Sequence, residues 1–341
     1  MSEAAIRAGC RYYFGYPITP QNEVAAYMAM RMPQVNGTFI QAESEIAAIN
    51  MVFGAAAVGA RAMTSSSSPG ISLKQEGISY LCGCELPAVI ANVVRGGPGL
   101  GSIGPSQADY FQATRGGGHG DYRTLAVAPS TVQELVDLTF LSFDLTEKYR
   151  NPVLILSDGI LGQMMEPVVL PEPVEADLSP KDWALTGARN RSPRVIKSLY
   201  LDVTLLEKLN FKLREKYHRM EREEIRFEEL NMADAETVLV AYGSVARICR
   251  AAVRQMREAG ERVGLFRPIT VWPFPYDALA RAVEKAGLFL AVEMSMGQMA
   301  EDVRLAVGGR RPVKTYGRVG GCVVTVEEVV QEIRKLREET S

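Results

Sequence analysis

Histidine is almost missing. The chain has two, His119 and His218, in 341 residues, too few for a histidine-rich metal site. A Ser-His-Asp hydrolase would depend on His119, and no G-x-S-x-G elbow supports one. Cysteine is equally unhelpful as a framework. The five (Cys10, Cys82, Cys84, Cys249 and Cys322) cannot all pair within one chain. Only Cys82 and Cys84 are close in sequence, and a lone C-x-C is neither a zinc nor an iron–sulfur frame; inert thiols are expected, and no metal is assigned to this chain. An excess of positive charge is also lacking: 38 Lys and Arg stand against 40 Asp and Glu, a net charge of -2. Nucleic acid and acidic membrane surfaces are therefore excluded as partners. No apolar run approaches the ~18 residues of a membrane span. The opening Met1-Ser2-Glu3-Ala4-Ala5-Ile6-Arg7 lacks a signal-peptide pattern, so the expected compartment is the cytoplasm.

What is present is a large core. At 47% hydrophobic over 341 residues the chain can bury two domains. Apolar strands recur at 61–65, 86–94, 125–129 and 152–157, each separated from the next by a loop and most by a helix. That pattern predicts an α/β fold with a parallel sheet covered on both faces. Prolines including Pro171, Pro173, Pro180 and Pro193 mark a linker. A charged helix follows over 203–231, with Leu206, Leu209, Leu213, Tyr217 and Met220 as its apolar stripe. A smaller α/β unit begins near Thr237. The expected divisions are 1–168, 169–234 and 235–341.

Ligands of such folds bind beyond the carboxyl ends of the strands, and several unusual residues follow strands here. The run Thr38 to Gln41 stops at Glu43 and Glu45, and an apolar, small-residue helix follows. An unpaired carboxylate is costly there, so Glu45 either caps a helix or does chemistry. Two prolines stiffen Tyr16-Pro17-Ile18-Thr19-Pro20, with Thr19 suited to an N-cap and Pro20 to the first helical position. The loop Ser65-Ser66-Ser67-Ser68 can face a ligand with backbone amides. Arg95 ends an apolar strand ahead of Gly96-Gly97-Pro98-Gly99-Leu100-Gly101, which is no dinucleotide fingerprint. His119 lies in a second glycine loop, and Ser130 is placed to cap the helix that runs to Lys148.

Four of these motifs together resemble the alpha subunit of the 2-oxoacid:ferredoxin oxidoreductases, across nearly the whole chain. They are Gly15-Tyr16-Pro17-Ile18-Thr19-Pro20, Ser44-Glu45-Ile46-Ala47-Ala48, Arg95 with its glycine loop, and Thr114-Arg115-Gly116-Gly117-Gly118-His119-Gly120. The resemblance implies a pyrimidine-binding domain of the thiamine diphosphate fold (1–168), then a transketolase C-terminal-like domain (235–341). It implies that Ser44 and Glu45 bind the cofactor, with Glu45 on N1' of its aminopyrimidine as the activating acid, and that Thr19 and Arg95 hold the substrate's carboxylate and carbonyl. For His119 a substrate-proximal proton donor and a purely structural loop residue both stay open. The implied reaction is decarboxylation of a 2-oxoacid, transfer of two electrons to ferredoxin and attack by coenzyme A. The loop Gly116 to Arg123 most resembles the branched-chain, 2-oxoisovalerate subgroup, with the 2-oxoglutarate enzymes close behind.

The chain has no cluster-binding cysteine frame and no diphosphate motif with metal-ligating Asp and Asn. By the resemblance a beta subunit carries the diphosphate, Mg2+ and a [4Fe-4S] cluster. Gamma and ferredoxin-like delta subunits are further expected partners, and no activity is expected of this polypeptide alone. Relatives carry a Gly-Asn-containing segment before the first helix, and here that first strand or turn is expected to be missing or supplied differently. Two rival readings are a transketolase or decarboxylase half working without ferredoxin, and a non-catalytic assembly protein that kept the fold.

Overall fold

The computed structural model describes residues 1–174 and 181–340; Pro180 of the expected linker lies outside them. The first half alternates helix and strand: α1 (Ser2–Arg7), β1 (Tyr12–Gly15), α2 (Asn22–Arg31), β2 (Thr38–Gln41), α3 (Glu45–Ala57), β3 (Ala62–Ser66), α4 (Pro69–Gly83), β4 (Val89–Val94), α5 (Tyr110–Arg115), β5 (Leu125–Val127), α6 (Val132–Tyr149), β6 (Val153–Asp158) and α7 (Gly159–Gln163). The second half contains α8 (Val203–Glu223), β7 (Phe227–Leu230), β8 (Thr237–Val240), α9 (Gly243–Glu258), β9 (Val263–Pro268), β10 (Thr270–Trp272), α10 (Tyr276–Ala282), β11 (Leu288–Glu293), α11 (Gln298–Val307), β12 (Val313–Gly317) and α12 (Val326–Thr340).

Two sheets result, in the orders β10-β5-β6-β4-β3-β1-β2 and β12-β11-β8-β9-β7. Neighbours run parallel except β10 beside β5 and β7 beside β9. Strands β3, β4, β6, β8, β9 and β11 are buried along their whole length. That is why their sequences are mostly apolar and do not alternate, with the polar residues gathered mainly toward the carboxyl ends.

Three local expectations need correction. The charged helix ends at Glu223, not Asn231, and Phe227–Leu230 instead joins the second sheet, with Phe227 opposite Pro268. Of its expected stripe, Leu213, Tyr217 and Met220 are buried, while Leu206 is exposed because the first turns of α8 stand clear of the core. Helix α6 is capped by Thr131, whose side chain accepts from Glu134 N at 3.1 Å. Ser130 instead donates from its own N and Oγ to the Glu134 carboxylate, at 2.8 and 3.0 Å.

Strand β10 binds the halves together. It follows β9 of the second sheet after one residue and pairs with β5 of the first, Thr270 opposite Val127. Arg267, at the end of β9, is almost fully buried and bridges Glu134 of α6 and Glu228 of β7. Replacing it leaves the Glu134 carboxylate without a cation at the junction, while Glu228 keeps Arg250. Arg267→Met is therefore expected to destabilise the protein by about 3 kcal/mol, read as a lower denaturant midpoint; an unchanged midpoint would show the junction to be held by packing alone.

Candidate active site

The carboxyl ends of β1, β2, β3 and β4 converge, as the sheet topology requires. Ser44 caps α3 with its Oγ, accepting from Ala47 N at 3.1 Å. The neighbouring Glu45 side chain is thus freed from capping and turned inward, where only 3% of it is exposed. The two alternatives for this junction are divided between adjacent residues. Glu43, the other acid, is exposed.

Glu45 has two partners. Ser66, the last residue of β3, donates from Oγ to Glu45 Oε1 at 2.6 Å. The ammonium of Lys74, a fully buried residue of α4, bonds Glu45 Oε2. Burial pushes the Lys74 ammonium below its ordinary value, and the facing Glu45 carboxylate opposes that shift. Beside the pair, Tyr13 Oη and Ser65 Oγ are 2.6 Å apart, and Ser65 Oγ donates to Gln21 Oε1. Burial raises the Tyr13 phenol well above its usual range.

Arg95 is buried and anchors two loops. Its two terminal nitrogens donate to the carbonyls of Thr19 and Leu100, each at 3.0 Å. Its Nε is buried without a partner among the described residues. Ser68 ties the backbone of Arg95 in place, at 3.0 Å to its N and 3.2 Å to its O. Behind it, Ser68 N donates to Asn92 Oδ1 at 3.1 Å and Asn92 Nδ2 to Asp109 Oδ2 at 2.8 Å. Burial raises the Asp109 carboxyl despite these hydrogen bonds.

Thr19 is therefore at the site, but not as a cap. Helix α2 starts at Asn22 behind Gln21, whose side chain is engaged by Tyr16 O and Ser65 Oγ and makes no cap bond. The Thr19 side chain is exposed, and its carbonyl is what the site uses. His119 is not brought to this cluster. It is exposed and sits edge-to-face on Tyr80, with ring centroids 6.5 Å apart. Tyr80 lies ten residues beyond Gly70 on α4, about 15 Å of helix. The glycine loop around His119 closes on itself through Tyr122 Oη, which accepts from Gly117 N and Gly118 N at 3.2 and 2.8 Å.

Of the Ser65–Ser68 loop, expected to offer backbone amides, Ser66 acts through its hydroxyl; Lys74 and Gln21 are site residues that the sequence reading does not include. For Lys74 a signal existed. Gly70, Lys74 and Gly77 recur at four and three residues, one stripe of a helix, with the lysine as its sole long side chain.

The cysteines are free, and burial pushes the Cys10 and Cys82 thiols up to about 12. Among the described residues no group of three or more His, Cys, Asp or Glu side chains is placed to hold a metal ion. No helix among the described residues is long and apolar enough to cross a membrane.

Comparison with known proteins gives the chain's family. The family model for pyruvate flavodoxin/ferredoxin oxidoreductase, thiamine diphosphate-binding, matches residues 3–231, and that for pyruvate:ferredoxin oxidoreductase core domain II matches 235–329. The ketoisovalerate oxidoreductase subunit VorB of Methanothermobacter thermautotrophicus is 51% identical over 99% of this chain and 96% of its own length. The 2-oxoglutarate synthase subunit KorA of the same organism is 36% identical over 98% and 96%. Among solved structures, 2-oxoglutarate:ferredoxin oxidoreductase from Magnetococcus marinus, with 2-oxoglutarate, coenzyme A and succinyl-CoA bound, superposes with a TM-score of 0.84 at 26% identity. It covers 97% of this chain, which spans 63% of that longer chain.

Proposed function

This chain belongs to the pyruvate flavodoxin/ferredoxin oxidoreductase family, and from that premise we propose that it is the alpha-type subunit of a coenzyme A-acylating 2-oxoacid:ferredoxin oxidoreductase for branched-chain 2-oxoacids such as 2-oxoisovalerate. The overall change converts a 2-oxoacid anion, coenzyme A and two oxidised ferredoxins to acyl-CoA, carbon dioxide, two reduced ferredoxins and a proton. The observation that carries the mechanism is the buried Glu45 carboxylate at the strand ends, tied through the Ser66–Ser68 loop to Arg95.

Thiamine diphosphate has two ends, and the residues here fit one of them. A carboxylate offers about four lone-pair sites, and Ser66 and Lys74 fill two of those on Glu45. The rest suit the ring nitrogen of an aminopyrimidine, with Ser44 fixing the backbone beside it. No group of three or more His, Cys, Asp or Glu side chains among the described residues is placed to hold the metal of the cofactor's diphosphate. That end, Mg2+ and the [4Fe-4S] clusters are assigned to partners: a beta subunit, with gamma and ferredoxin-like delta subunits in larger assemblies. Support comes from an apolar rim at the site. Tyr16, Ile40, Ile46, Leu73, Leu100 and Ile103 are all exposed at or just beyond the carboxyl ends of β1, β2, β3 and β4, as an unmet protein surface would be.

When bound, the cofactor supplies the nucleophilic carbon and the electron sink for decarboxylation. Glu45 holds the proton exchanged with the pyrimidine ring, and the apolar face of α3 keeps water from it. Arg95 presents a guanidinium already positioned by the Thr19 and Leu100 carbonyls, and the remaining N–H groups of its terminal nitrogens suit the substrate's carboxylate. Arg95→Lys keeps the charge and loses the fork. It is expected to lower kcat/KM for the 2-oxoacid about 10–100-fold, mostly through KM; steady-state assays on the assembled complex would check this.

The branched-chain preference is supported by the 51% identity to a ketoisovalerate oxidoreductase subunit against 36% to a 2-oxoglutarate synthase subunit. The test is ferredoxin reduction by the complex co-purified with its partners, in the presence of coenzyme A, with 2-oxoisovalerate, 2-oxoglutarate and pyruvate compared by kcat/KM. 2-Oxoisovalerate is expected to lead; a preference for 2-oxoglutarate would overturn the assignment.

A further inference from the structure

We propose that Lys74 is a positioning residue for the cofactor-activating acid: its ammonium is the built-in countercharge that holds Glu45 as an oriented carboxylate and drives its proton toward the pyrimidine ring. The proposal rests on the reading of Glu45 as that acid.

The geometry leaves Lys74 no other task. Its side chain is fully buried and hydrogen-bonds to Glu45 alone among the described residues. Above and below it on the same stripe of α4 stand Gly70 and Gly77, and both are spaces that α3 and β3 occupy. A Cβ on Gly70 would lie 2.1 Å from Glu45 Oε1, and one on Gly77 would lie 2.5 Å from Ile49 Cγ2. The helices therefore meet backbone to side chain, and the one long side chain between the glycines is aimed at the carboxylate. A buried ammonium at this place carries a desolvation cost that a methionine would avoid at similar volume. Its presence there calls for a chemical role.

The role follows from charge. When Glu45 gives up a proton it becomes a carboxylate in a nearly dry site, the form that burial disfavours. A fixed cation at Oε2 offsets that cost, so the proton passes more readily to an acceptor at the remaining lone pairs. Ser66 Oγ pins Oε1 at 2.6 Å and so fixes the carboxylate plane. The other titratable group facing the pair is Tyr13 of β1, near Glu45 and tied to Ser65. Its phenol stays neutral well past physiological pH, which leaves Lys74 as the group that compensates Glu45.

The experiment is infrared spectroscopy of the assembled complex stripped of thiamine diphosphate. The neutral-acid carbonyl band is assigned to Glu45 by its loss in Glu45→Gln. In the wild type no such band is expected at neutral pH. In Lys74→Met the band should appear at a pH about 1–3 units higher than in the wild type, and Lys74→Arg should largely suppress it. With cofactor restored, the near-ultraviolet circular dichroism of the bound pyrimidine should move along the pH axis in the same sense. A Glu45 acid band in the wild type at neutral pH would overturn the proposal without any variant having to fold. So would a Lys74→Met band that coincides with the wild-type titration. The two readings fail separately: normal turnover in Glu45→Gln would remove the catalytic assignment of Glu45, whereas the infrared titration reports only whether Lys74 governs its charge.

Discussion

Glu45→Gln is expected to leave the complex assembled and able to bind thiamine diphosphate while kcat falls about 10²–10⁴-fold. The substitution is nearly isosteric. The amide oxygen can still accept from Ser66 Oγ or from Lys74, so the shape of the pocket survives. What is lost is a group able to give and regain a proton at the ring nitrogen. The effect should therefore fall on kcat, with KM for the 2-oxoacid little changed, since substrate binding is assigned to Arg95 and the Thr19 loop. Near-normal turnover would refute Glu45 as the activating acid.

A second consequence distinguishes this acid from one in a plainly apolar pocket. Lys74 stays buried in Glu45→Gln, now without a countercharge. Removing one partner of a buried pair costs about 3–5 kcal/mol, and the surviving amide acceptor places this case at the lower end. Glu45→Gln should melt at lower temperature than the wild type, and Lys74→Met added to it should restore the melting temperature but not the activity. Lost turnover with recovered stability would assign the defect to chemistry.

Much of this site could be read in the chain. Glu45, the Ser65–Ser68 loop and Arg95 are expected at one sheet edge because each follows a strand, and parallel sheets bring such ends together; Thr19 joins them only through the family resemblance. The structure unites Glu45, Arg95 and the Thr19 loop through Ser66, Ser68 and the Arg95 guanidinium. His119 also follows a strand-and-loop unit, yet its long glycine loop carries it out along α4 to Tyr80. Distance after a strand end is set by loop path, which local sequence does not encode.

Lys74 is harder to read, for a related reason, despite its place between two glycines. Leu73-Lys74-Gln75-Glu76 looks like the wet face of a helix, and Leu73 is in fact exposed. Which of the four turns inward depends on where α3 packs, and that is decided by glycines four residues before and three after. The strands β7 and β10 were missed similarly. Phe-Glu-Glu-Leu after a charged helix has helical propensity, and only the edge of β9 makes it a strand; tertiary pairing overrode local preference.

The glycine that shapes this cluster gives the other large effect. Gly70→Ala is expected to lower kcat about 100-fold or more, the cost of misplacing a catalytic group by about 1 Å, and to destabilise the fold by about 1–3 kcal/mol through overpacking. A methyl group there would stand 2.0 Å from Ser66 Oγ, 2.1 Å from Glu45 Oε1 and 2.7 Å from Glu45 Cδ. No rotamer change of one distant atom relieves this, because both side chains are buried and bonded to each other. Either the start of α4 moves away, taking Lys74 with it, or Glu45 is pushed from its place. Helix propensity acts the other way, favouring alanine by about 1 kcal/mol, and the overlap outweighs it. Gly54→Ala provides the contrast within the adjacent helix. That position on α3 is exposed and a Cβ meets nothing within 4 Å, so it should raise stability by up to about 1 kcal/mol with turnover unchanged. Melting curves and steady-state kinetics of the two variants in the same complex make the comparison. If Gly70→Ala behaved like Gly54→Ala, the close approach of α4 to Glu45 would not be what fixes the acid.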